Sequence, residues 1–142
     1  MSNTSPPKPW LRTLPVHVLR TLLGALFVFA GAAHFFASSA GGESNPLITA
    51  FNESGYLMHM VKVTELVGGL LLLANRFVPL GLILLAPITL NIAVFHFVLT
   101  PGHDIGISIF VVAANMFLAW CYGSAFAGVL APKTPIRFAA NQ

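Results

Sequence analysis

The chain has 142 residues, 56% of them hydrophobic and only 8% charged, whereas a soluble domain carries roughly a quarter charged residues. So few charges cannot coat a water-soluble surface, and a mean hydropathy of +0.83 points to the bilayer as solvent. The net charge of +3 is spread over Lys8, Arg12, Arg20, Lys62, Arg76, Lys133 and Arg137, with no basic run and no interleaved aromatics, which argues against nucleic acid as a partner.

Residues 1–142 read as one all-α membrane domain. Its predicted form is a four-transmembrane-helix bundle of up-down topology with N and C termini cytoplasmic. A helix needs about 20 apolar residues to cross the hydrocarbon core, and in lipid its backbone must satisfy itself. The first span is expected at about 16–37. Its basic flank and the segment Ser38-Ser39-Ala40 mimic a secretory signal. The long stretch ahead of the apolar run favours a retained helix instead. An outer loop follows over 38–56. Within it Ser44 or Asn45 can cap a short helix with Pro46 at its first position and Leu47, Ile48 and Phe51 on its apolar face. The alternative is an ordinary loop.

The second and third spans are expected at about 57–75 and 78–99. The tight connection Asn75-Arg76-Phe77-Val78-Pro79 makes them an antiparallel hairpin, and Pro87 should kink the third. Pro101-Gly102 then breaks the chain before the fourth span, about 104–126, and a cytoplasmic tail runs over 127–142. Lys and Arg flank only one side of this arrangement, while Glu43, Glu53 and Asp104 lie on the other. That asymmetry sets the cytoplasmic side and a multi-pass inner-membrane location. Trp10, Trp120 and Tyr122 fall near the inner boundary, as interfacial anchors do. Cys121 is the only cysteine, so there is no dithiol chemistry, and it reads as a small inert hydrophobe.

Ionisable groups inside a membrane are expensive and mark sites. Counting helical rise from the outer ends, His34 and His96 lie about 5 Å deep, Lys62 about 8 Å, and Glu65 and Asn91 about 12 Å. His59 is shallower and Asn115 approaches the midplane. The stretches 66–74, 78–90 and 116–120 carry nothing ionisable. This one-sided depth predicts a blind pocket open to the periplasmic side and not a channel. Lys62 and Glu65 are three apart and can meet on one helix face, either as a catalytic pair, with Glu65 as proton acceptor or ligand contact, or as a packing pair. His34, His59 and His96 come from three helices at similar height and are expected as ligand contacts. With Glu65 they form the weaker expectation of a metal or heme site. Asn91 and Asn115 are ligand contacts or, more simply, interhelical glue, and Gly24, Gly31, Gly68 and Gly69 are close-packing positions.

Several segments carry a family resemblance. The first span ends in GAAHFF, and an outer loop leads to SGYL. Then come a glutamate followed by glycines in TELVGGLLLL, the basic turn NRFVPL and a polar position in the third span. Over about 19–126 the chain resembles the DoxX family of small bacterial membrane proteins. The resemblance implies a four-helix membrane fold. It implies kinship with a subunit linked to thiosulfate:quinone oxidoreduction and with members tied to oxidative-stress complexes. It carries over Glu65 and His34. The functional expectation is an accessory redox-associated subunit with quinone as its cofactor, an oxidoreductase subunit if it is catalytic at all. The alternative is a non-catalytic scaffold docking other membrane or periplasmic proteins, or a second copy of itself.

Overall fold

The computed structural model describes residues 9–36, 46–100 and 105–127, with only the backbone for 9–12. Among them every regular element is helical: α1 (Pro9–Phe36), α2 (Pro46–Glu53), α3 (Leu57–Leu73), α4 (Val78–Val94) continued by a π-helical turn (Phe95–Leu99), α5 (Ile105–Cys121) and α6 (Gly123–Phe126). The expected caps Ser44 and Asn45, the segment 38–40, Glu43, the break Pro101-Gly102, Asp104, and the tail with Lys133 and Arg137 lie outside the described residues.

α1 begins at Pro9, earlier than the expected boundary after Pro15, and runs through that proline. α2 forms as anticipated, with Pro46 first, and meets α3 at 94°. Local chemistry makes this corner. Gly55 takes φ +76°, a left-handed conformation that glycine adopts without steric cost. The Ser54 hydroxyl donates to the Phe51 carbonyl at 2.6 Å and accepts the Leu57 N–H at 3.1 Å, tying one helix end to the next start. Between α3 and α4, Asn75 and Phe77 both have φ +54°, which reverses the chain within four residues. α4 stays α-helical through Pro87, and the departure from α geometry comes later, at Phe95–Leu99.

The contacts made by the glycines set the packing of α1 on α3. A Cβ built on Gly24 would lie 3.0 Å from the Gly69 carbonyl, and one on Gly31 would lie 2.9 Å from the Leu66 nitrogen and the Lys62 carbonyl. Rising numbers on α1 meet falling numbers on α3, so the two helices are antiparallel with their backbones nearly touching. Small residues permit such an approach. α3 packs on α4, α4 on α5, and α5 returns to α1. The core between them is Leu23, Phe27, Leu72, Val78, Leu82, Leu85, Val111, Ala114 and Leu118.

The outside is as apolar as the core: Phe29, Leu70, Leu90, Val98, Ile107 and Met116 are all exposed. Among the described residues two helices, Thr13–Phe36 and Val78–Leu99, are long and apolar enough to cross a membrane, and α2 with α3 would make a third if taken as one bent span. α5 is apolar but has 17 residues. Trp120 is 80% exposed near the end of α5 and meets Phe117 edge-on, the position expected of an interfacial anchor. Tyr122 is half-buried against the core.

Candidate functional site

The polar side chains that the described residues bring together form a column along the α1–α3 seam. Its outermost layer is His34 against His59, with ring centroids 5.3 Å apart and the rings near perpendicular. Phe35 packs on both. The antiparallel register explains the pairing: three residues outward from Gly31 on α1 meets three residues outward from Lys62 on α3. One turn further in, Lys62 Nζ donates to Glu65 Oε2 at 2.9 Å. The carboxylate side chain is only 5% exposed and the lysine 22%. The i,i+3 contact anticipated from sequence is therefore present, and its carboxylate is buried.

The other expected contacts are spread elsewhere. His96 is half-buried on the π-helical turn. Its Nδ1 donates to the Ile92 carbonyl at 2.8 Å and its ring packs edge-on to Phe95, which holds one ring nitrogen against its own helix and leaves Nε2 for another partner. Asn91 is exposed on the outside of the bundle. The buried stripe of α4 runs Leu82, Leu85, Thr89, with half-buried Ile92 next, and Asn91 falls off that spacing. Asn115 is buried and donates to Thr89 Oγ1 at 3.4 Å, while Thr89 donates to the Leu85 carbonyl at 2.8 Å. This is interhelical glue, the simpler of its two expected roles. Among the described residues no three His, Cys, Asp or Glu side chains gather where they could hold a metal ion.

A shallow open groove of 390 Å³ lies on α3, lined by Tyr56, His59, Met60, Val63 and Thr64. His59 joins the two features: it borders the groove and touches His34. Thr64 turns its hydroxyl to the Met60 carbonyl at 2.8 Å.

Three buried polar residues escaped the sequence reading. Thr89 and Ser108 carry no charge to mark them and Arg20 reads as a flanking cation, yet Arg20 is 7% exposed and Ser108 fully buried. The signal was present as helical spacing. Ser108 precedes Val111, Asn115 and Leu118, and Arg20 precedes Gly24, Phe27 and Gly31, each a stripe facing the core. Among the described residues the Ser108 hydroxyl has no hydrogen-bond partner. A buried hydroxyl without a partner has lost its hydration for nothing, so Ser108→Ala should leave thermal stability unchanged or raise it by about 1 kcal/mol, read as the melting temperature in detergent. A clear drop would mean that the hydroxyl has a partner.

A bundle whose outside is apolar and whose polar groups point inward is a membrane protein. The DoxX family model matches residues 16–98, more than half the chain and reaching from α1 through the π-helical turn. The protein belongs to the DoxX family. No curated protein and no solved structure matches it.

Proposed function

We propose that this protein is an accessory, redox-associated subunit of the bacterial inner membrane that holds a quinone headgroup at the outer end of the α1–α3 seam. One observation carries the reading. His59 lies at once in a groove with apolar walls and against His34, one turn outside the buried Lys62–Glu65 pair. A quinone reaches its site from within the bilayer and presents a flat apolar ring with carbonyl oxygens. Met60 and Val63 supply the wall, and the Tyr56 hydroxyl and the His59 imidazole supply donors for a carbonyl. Lys62 and Glu65 sit one turn further along α3 as a charged pair that can give or take a proton when the partner enzyme served by this subunit passes two electrons to the quinone or withdraws them from the quinol.

A photoreactive quinone analogue tests this on the full chain in native lipid. Labelling is expected on the segment 56–64 and should fall at least fivefold in His59→Ala. A folded protein that labels nowhere on α3, and that co-purifies with a partner enzyme whose turnover is unchanged by Glu65→Gln, is a docking subunit and not a quinone site.

The same reading has four crossings. α5 is about 25 Å long at 1.5 Å per residue, and α6 extends it, so it can serve as the fourth. The His34–His59 end then faces the periplasm and both termini the cytoplasm. Cys121 is exposed at the end of α5 and makes a built-in probe. A membrane-impermeant maleimide should label it in inverted vesicles and not in intact spheroplasts. A Ser54→Cys, Cys121→Ala variant should show the reverse. Labelling of Cys121 from the outside overturns this orientation.

A further inference from the structure

We propose that Arg20 forms a phosphate-binding site at the end of the bundle opposite the His34–His59 pair, occupied by the phosphodiester of a membrane phospholipid. The guanidinium is almost wholly buried, and among the described residues nothing hydrogen-bonds its Nε or Nη1, which carry three N–H donors between them. A buried charge is tolerated only when it is paired. The described acidic side chains do not supply the pair. Glu65 is committed to Lys62. Glu53 ends α2, at the other end of the bundle. Arg20 stands about 24 Å of helix from Phe36.

Its level is set by its neighbour one turn on. Gly24 lies against the Gly69 carbonyl and the side chains of Leu72 and Leu73, which puts Arg20 level with the turn from Ala74 to Phe77. The carbonyl end of α3 there favours a cation, yet no carbonyl reaches Nε or Nη1. The same turn carries Arg76, exposed, and leads into the start of α4, where no side chain caps the free N–H groups. Cβ vectors tilt toward the helix N-terminus, so the Arg20 side chain leans to this end and toward the headgroup layer. A phosphate offers several oxygens to a guanidinium fork, whereas one carbonyl or hydroxyl cannot satisfy three donors.

The experiment uses the full chain in a non-ionic, phosphate-free detergent and reads two quantities: phospholipid retained after purification, by mass spectrometry, and the melting temperature. Addition of phosphatidylglycerol should raise the melting temperature, while a neutral, phosphate-free diacylglycerol glycolipid should not. Arg20→Gln should abolish that difference and lower retained phospholipid at least tenfold, and Gly106→Ala, where a Cβ meets nothing within 4 Å, should leave both as in the wild type. A rise with inorganic phosphate alone equal to that with the lipid supports the phosphate site and reassigns its source to soluble phosphate. Equal response to the phosphate-free lipid, or an Arg20→Gln protein that keeps the phosphatidylglycerol response, overturns the proposal. Should Arg20→Gln not fold, Arg20→Lys decides: it keeps the charge but loses the fork, and retention unchanged from the wild type overturns the proposal.

Discussion

Gly69→Leu is expected to open the α1–α3 seam. A Cβ at this position would lie 2.8 Å from the Gly24 carbonyl and 2.9 Å from the Val28 nitrogen, and both are backbone atoms of α1 that cannot rotate away. The whole helix must shift. Overpacking a core costs about 1–3 kcal/mol, and leucine against a backbone should sit at the top of that range. The cost falls on the contact that holds His34 to His59. Gly31→Leu should behave alike, because its Cβ would lie 2.9 Å from the Lys62 carbonyl. Gly106→Ala is the matched control: nothing lies within 4 Å of that Cβ, and alanine gains helix propensity of up to about 1 kcal/mol over glycine. Thermal unfolding in detergent distinguishes them. A Gly69→Leu protein that melts with the wild type would show that the helices are further apart than the glycines indicate.

The Lys62–Glu65 pair should respond unequally to the loss of each partner. Lys62→Met leaves a carboxylate 5% exposed with no cation, whereas Glu65→Gln leaves an ammonium 22% exposed that can extend toward the outer surface. Removing one member of a buried pair costs about 3–5 kcal/mol. Lys62→Met should approach the lower end of that figure, and Glu65→Gln, eased by solvent at the lysine, should cost about half as much. The double variant Lys62→Met, Glu65→Leu should recover most of the loss, because well-packed apolar residues often replace a buried pair without penalty. Equal losses in the two single variants would show that the two ends are equally hydrated. If the double variant regains stability but not quinone labelling, the pair serves the ligand and not the fold.

The difference between the two polar ends explains what a sequence of this kind can be read for. Helix positions were legible because membrane segments are long apolar runs with sharp punctuation. Pro46, Gly55, Asn75-Arg76 and Pro79 mark corners that the chain takes, and the i,i+3 spacing of Lys62 and Glu65 dictates their contact within one helix. Glu65 and Arg20 show the limit. Both are single charges in apolar surroundings. Glu65 has a partner three residues away and could be recognised as a site. Arg20 has none in sequence and resembled the boundary cations around it.

Which face of a helix turns inward depends on its neighbours, and in an apolar chain the hydrophobic contrast that usually reveals that face is nearly absent. Asn91 on the outside, Ser108 on the inside and His96 bound to its own helix were for that reason settled only by packing. The sequence alone determined that this is a helical membrane protein with its corners and its ion pair, because those follow from lengths and local spacing. The tertiary structure alone decided that His34 meets His59 and that Arg20 is buried, because both depend on the register in which α1 and α3 lie, set by glycines that bring one backbone against the other.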